Sequence, residues 1–447
     1  MRASEWAGLL SLAGALAAAP GDLPPPVARS VDFGSDVHPI LLARCAGCHS
    51  GAKAQAGLTV MSRSDLLRGG KSGPAVVPHD SAKSLLILRT AGVGGPRMPA
   101  GGPPLTAEEI GILRAWIDGG AAAAATASES GWKPSLALRS PAMREAAENP
   151  LDSFILDYFR RNEIEPPAAV ADAVFARRAW LDLWGVVPSP EQVKAFEDDR
   201  SREKRARLID DLLADRKHYA GHWISFWNDL LRNDEGVEYE GARQSITAWL
   251  RRALEENLPY DRFVSALLNP ARPGDPAGYL IGVNWRGDVS ASQTPPMQAA
   301  QNSAQVFLGV NLKCNSCHDS FISSWKLKDA YGLASFFSDQ PLPIHRCDVA
   351  TGEISQPKFL YPELGGVEAG ASPPARRAAA ARLFTCKENG RFPRTLVNRI
   401  WKRLMGRGLV EPVDDMDAKP WDPDLLDWLA SDFAAHGYDM QHLLRRI

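Results

Sequence analysis

The chain has almost no net charge: 51 Lys plus Arg face 53 Asp plus Glu, leaving −2. That balance argues against a nucleic-acid partner and against an acidic membrane surface. Beyond the N-terminus no stretch approaches about 18 consecutive apolar residues, the length a membrane-spanning helix needs, so the mature chain is not expected to be an integral membrane protein. No run alternates apolar and polar residues clearly enough to read as a strand. No Ser-His-Asp order and no nucleotide-binding loop stands out, so no catalytic residues are assigned. Cysteine is scarce, six in 447 residues, too few for a disulfide framework to hold a chain of this length. Nor is one needed, because such a length buries sizeable cores unaided and suggests two to four domains. What is abundant is Trp, Gly and Pro, at 13, 37 and 34 residues, which predicts a Trp-rich helical core joined by much loop.

The N-terminus has the three parts of an export signal. Arg2 gives a weakly basic start, diluted by Glu5; an Ala/Leu-rich run follows from Trp6 to Ala19; small-x-small sites stand at Ala15-Leu16-Ala17 and Ala17-Ala18-Ala19 before Pro20. Residues 1–20 are therefore expected to be a signal peptide, and the mature protein to be periplasmic or at the cell surface. A buried N-terminal helix or an uncleaved anchor is the plainer alternative.

After a short tether at 21–30, a compact domain is expected over 31–121. Its last helix is well marked: Thr106 and Glu109 form a capping box, Ile110, Leu113, Trp116 and Ile117 share one face, and Gly119-Gly120 stops it. The Ala-rich stretch that follows predicts a linker over 122–148. A mainly helical domain is expected over 149–340, with a second capping box at Ser189 and Gln192, then an irregular connector over 341–391. Residues 392–447 read as the start of a third helical domain. They end at Ile447 within a continuing helical pattern, as in a truncated chain. The fold class is mainly α.

Four of the six cysteines fall in Cys45-Ala46-Gly47-Cys48-His49 and Cys314-Asn315-Ser316-Cys317-His318. About 0.002 such patterns are expected by chance at this composition, so two are not accidents. Two thiols three residues apart lie on one side of a helical turn, where each can form a thioether with one haem vinyl group. The adjacent His can then ligate the iron. Both motifs thus predict haem c. Zinc and a redox dithiol are the rivals, but zinc needs a fourth ligand or an open site, and a dithiol has no use for the His. Met98, in a Pro- and Gly-flanked loop, is the candidate sixth ligand at the first motif; its plain reading is a hydrophobic gap-filler, and His38 and His79 are alternatives. The second motif has four candidates, Met297, His345, His222 and His218, none preferred. Cys347 and Cys386 remain as a possible disulfide.

These residues resemble a known family. Asp36 through His49, then Arg97-Met98-Pro99, then Leu113 through Ala121 look like the planctomycete-type cytochrome c domain. Residues 149–340 resemble the domain of unknown function that usually follows it, in Arg178 through Ser189, Trp227 through Arg232, Pro259 through Phe263 and, most strongly, Gln305 through Phe337. Residues 392–447 resemble the start of a third associated domain, in Asn398 through Trp401 and Gly406 through Asp415. The resemblance implies a class I-like cytochrome c domain plus a larger, mostly helical region, covalent haem, and electron transfer to an unidentified redox partner protein. It names no substrate. The family's second motif commonly continues Asp-His-Pro-Phe; here Asp319-Ser320-Phe321 follows, and the second His is absent.

Three functions remain open: an exported electron carrier, which leads; a haem-dependent oxidoreductase with an open iron at the second motif; and a cell-surface or assembly module in which haem is structural. Asp229, Asp234 and Glu235 near Trp227 are the acids an enzyme would use, although a solvated helix end explains them as well. Trp116 and Trp132 read as core aromatics before they read as rings beside the first haem.

Overall fold

The computed structural model describes residues 23–29, 31–49, 54–60, 63–121, 134–144, 149–233, 245–281, 290–320 and 323–447. The stretch expected to be an export signal, Trp132, Asp234 and Glu235 lie outside them. The chain is mostly helical, with 53% helix against 4% strand. It divides into two compact units, 1–131 and 132–447.

The first unit packs short helices around one small core. A π-helical turn, Phe33–Val37, runs into the helix His38–Arg44, which buries Leu41 and delivers the chain to Cys45. The helix Ala107–Asp118 closes the unit. Its capping box forms as expected: Thr106 Oγ1 accepts from Glu109 N at 3.1 Å, and Glu109 Oε2 accepts from Thr106 N at 2.7 Å. Its inner face places Leu113 and Ile117 in the core, and Trp116 packs 5.1 Å from the Phe33 ring, as a core aromatic. The expected tether is not loose. Val27 N donates to Gly111 O, and Arg114 holds the carbonyls of Leu23 and Pro24. Gly111 is what allows this approach, since a Cβ there would stand 2.8 Å from the Pro25 carbonyl oxygen.

In the second unit the regions 149–340 and 392–447 share a single core, so they are not separately packed bodies. Tyr260 stacks on Phe392 at 4.6 Å, and its N–H donates to Tyr438 O. The region 149–340 is helical as expected, with Asp172–Trp184, Lys204–Ala214, Arg216–Leu230 and Pro295–Leu308 among its helices, and the Ser189–Gln192 capping box forms.

Two readings of the sequence need correction. The stretch taken as linker is docked where it is described, at 134–144: Arg394 donates to Ser135 O and Ala137 O, Gly390 N donates to Leu136 O, and Arg144 pairs with Asp157 and Asp422. The connector 341–391 is not irregular. It contains an antiparallel hairpin, Leu342–Arg346 with Val349–Ser355, and the helix Pro373–Thr385. The hairpin escapes pattern reading because its second strand is exposed nearly throughout, so nothing alternates. Its turn residues, Cys347 and Asp348, take positive φ without a glycine to announce it. The helix hides its apolar face in an Ala run.

Candidate functional site

The first motif continues the His38–Arg44 helix into a tight turn. Cys48 N and His49 N both donate to Cys45 O, at 3.2 and 3.0 Å. The two cysteines are thereby held on one turn, as thioether attachment needs. Arg44, immediately before Cys45, gives its Nε to Glu109 Oε1 at 2.9 Å. The glutamate that caps the Ala107–Asp118 helix therefore also fixes the entry to the motif. His49 Nδ1 lies 3.3 Å from Leu58 O. With Nδ1–H donating to that carbonyl, Nε2 carries the lone pair, the arrangement in which a backbone carbonyl orients a metal-binding imidazole. Burial pushes the Cys45 thiol up to about 11.

Met98 is half-buried in the loop after the helix Leu85–Ala91, and its N–H is tied to Arg89 O at 2.9 Å. His38 opens its helix 5.8 Å from the Phe33 ring. His79 is exposed, at a positive-φ turn whose N–H donates to Ile117 O.

The second motif repeats the first motif's backbone. Cys317 N and His318 N both donate to Cys314 O, at 3.2 and 3.1 Å, and His318 Nδ1 lies 2.8 Å from a backbone carbonyl, here that of Asp319. The surroundings differ. The two middle residues, Asn315 and Ser316, are buried, whereas Cys314 is exposed and Cys317 half-exposed. A chain of hydrogen bonds holds this turn from behind. Asn315 Nδ2 donates to Trp325 O at 2.6 Å, and Trp325 Nε1 donates to Asp417 Oδ2 at 3.0 Å. Asp417 Oδ1 accepts from Arg391 at 2.6 Å, and Arg391 also donates to Leu308 O and Gly309 O, just upstream of the motif. None of these partners was legible beforehand, since the contacts span up to 92 residues. Asp319, the last residue before the resemblance breaks off, supports the fold. Its carboxylate accepts from Leu327 N at 2.9 Å and caps the next helix.

The sixth-ligand candidates of the second motif separate. Met297 is fully buried in the main core. His218 stacks on Trp184 at 4.4 Å and bonds Asp215, and His222 lies beside Gly185. His345 lies two residues before Cys347, whose N–H donates to Cys317 O at 3.1 Å. Cys347 and Cys386 are free thiols; the first sits at this hairpin turn, and the second bonds Leu383 O near the end of a helix. Asp229 is exposed.

Among the described residues, neither motif gathers its cysteines and histidine into a compact set of metal donors. The one such group is Asp432, His436 and His442, whose donor atoms lie within 4.8 Å of one another. No described helix is long and apolar enough to cross a membrane.

A mostly helical chain with two thiol-thiol-imidazole turns of one geometry is a cytochrome-like protein. Comparison with known families agrees: residues 45–101 match the family described as Planctomycete cytochrome C. That match spans Cys45, Cys48, His49 and Met98, and it makes this a cytochrome-like, haem-binding protein. Residues 150–341 match a protein of unknown function, DUF1549, and residues 376–447 match a second, DUF1553, so the chain carries the planctomycete cytochrome C domain and both associated families in that order. No curated protein and no solved structure matches it.

Proposed function

We propose that this is an exported c-type cytochrome that carries electrons on two covalently held haems. Cys45 and Cys48 would hold the first, with His49 and Met98 to bind its iron; Cys314 and Cys317 would hold the second, with His318 to bind its iron. Each thiol would be joined to one vinyl group by an S–C bond, its hydrogen going to the other vinyl carbon. Haem iron supplies the ferric–ferrous couple, and the chain sets its potential through ligands, burial and nearby charge. The observation that carries the reading is the shared geometry of the two turns, each closed on its first cysteine's carbonyl and each with its imidazole held through Nδ1 by a backbone carbonyl. Export rests on the tripartite pattern at 1–20.

A redox titration of the holo-protein tests the electron-carrier reading, with Met98→Ala as its probe. A thioether opposite His raises a haem's potential. The variant is expected to keep its haem, to bind carbon monoxide when reduced, and to lower the first haem's midpoint on the order of 0.1 V or more, within the roughly 0.8 V that axial ligands span. An unchanged midpoint removes Met98 from the site.

A further inference from the structure

We propose that Asp432, His436 and His442 form a zinc(II) site that ties the helix Pro423–Ala435 to the helix Met440–Arg446. The site is independent of the haems, and neither Cys-x-x-Cys-His motif contributes to it.

The three side chains are brought together by local structure. Asp432 lies in the last turn of the helix Pro423–Ala435, and His436, four residues on, caps its C-terminus. That spacing puts both side chains on one face. His442 comes from the next helix, Met440–Arg446. The turn between the helices is fixed. Gly437 and Tyr438 both take positive φ, +68° and +59°. Such a conformation is unfavourable for tyrosine, and the fold holds it there. Tyr438 N donates to Phe433 O at 3.0 Å, its ring packs 5.5 Å from the Phe433 ring, and its carbonyl accepts from Tyr260 N at 3.0 Å. Asp439 then accepts from His442 N at 2.9 Å and from Asn257 Nδ2 at 2.7 Å, which sets the start of the second helix.

The result is a compact donor set. The ligating atoms lie within 4.8 Å of one another, and the two imidazoles stack with centroids 3.8 Å apart. Donors placed tetrahedrally about 2.1 Å from a zinc ion are about 3.4 Å apart, so side-chain shifts of about 1 Å complete the site. His436 Nδ1 lies 2.7 Å from Asp432 O, which leaves the lone pair on Nε2 and lets a backbone carbonyl orient the ring. His442 Nε2 lies 2.7 Å from Asp432 Oδ2. Zinc would take the place of the hydrogen in that contact, and the ring would keep its hydrogen on Nδ1.

The donor types select the ion. Two imidazoles and a carboxylate suit zinc, whereas calcium and magnesium prefer oxygen shells. Three protein donors leave a fourth position for water. A hydrogen-bond hub explains Asp432 and His442, whose side chains are 11% and 19% exposed. It gives no reason for His436, whose side chain is 49% exposed and yet lies stacked on His442. Arg446 opposes a cation here, with Nε 3.3 Å from Asp432 Oδ2. Its guanidinium also lies 5.7 Å from the centre of the Trp428 ring, a partner it keeps when the carboxylate turns to the ion.

The test uses the full-length holo-protein, stripped of loosely held metal by a chelator that leaves haem iron in place. Calorimetric titration with zinc chloride reads affinity and stoichiometry, and thermal melting reads stabilisation. Wild type is expected to bind one zinc per chain and to melt at a higher temperature with zinc. His436→Ala removes an exposed side chain, so the metal-free variant is expected to melt like wild type. Its zinc affinity is expected to fall on the order of 100-fold or more, since loss of an outer-shell partner alone costs roughly 10–100-fold. His436→Cys, which restores a zinc donor, is expected to recover most of that affinity. Arg446→Gln, which removes the competing cation, is expected to bind zinc more tightly than wild type. A wild type that binds no zinc overturns the site. Zinc bound as tightly by His436→Ala as by wild type also overturns it, because the ion then sits elsewhere.

Discussion

Replacing both Cys45 and Cys48 by alanine is expected to halve the covalently bound haem, from two per chain to one. The attachment is two thioethers, and with both sulfurs gone nothing holds the first haem covalently. His49, still oriented by Leu58 O, gives only a coordinate bond, which denaturing extraction breaks. The second haem is expected to survive, because its motif belongs to the other compact unit and that unit has its own core. The measurement is haem-to-chain ratio after denaturing extraction, on wild type and the double variant side by side. A ratio unchanged by the double substitution would remove the first motif from haem attachment.

Arg391→Met is expected to destabilise the second unit by about 3–5 kcal/mol, the usual cost of removing one partner from a buried ion pair. Arg391 is 2% exposed and fully committed, to Asp417 and to the carbonyls of Leu308 and Gly309. Methionine fills much of the volume but makes none of these bonds. Leu308 O loses its side-chain donor, Gly309 O keeps only Met416 N, and Asp417 loses its charge partner. The Asp417 side chain keeps 27% of its surface, so water relieves part of the loss and the lower end of the range is expected. Chemical denaturation followed by Trp fluorescence reads the effect. Because the same aspartate holds Trp325, which holds Asn315, attachment at Cys314 and Cys317 is expected to fall in parallel. A variant as stable as wild type would show that this hydrogen-bond chain is dispensable.

The contrast between these two sites marks what a sequence can disclose. The first motif is built from local signals. Its cysteines and histidine are adjacent, its closing helix begins at a capping box, and Gly119-Gly120 ends that helix. Each is set by neighbours within about a turn, and periodicity reads such signals well. The second motif shows its cysteines equally plainly but hides its support. Arg391 reads as one more arginine in a basic helix until the fold places it under Leu308 and Gly309. The hairpin that carries His345 has neither alternation nor a turn glycine. The docked strap at 134–144 holds through the backbone carbonyls of Ser135, Leu136 and Ala137 and through Arg139 and Arg144, whose partners Asp427 and Asp422 lie 288 and 278 residues away, so no local pattern marks it. The merging of 149–340 with 392–447 depends on distant aromatic partners such as Tyr260 and Phe392, whose separate helices each look complete alone.

The most direct test is the number of haems per wild-type chain that survive denaturation, determined on the purified full-length protein. Two are expected, one for each turn closed on a cysteine carbonyl. One would contradict haem at Cys314 and Cys317, and none would contradict covalent haem attachment altogether.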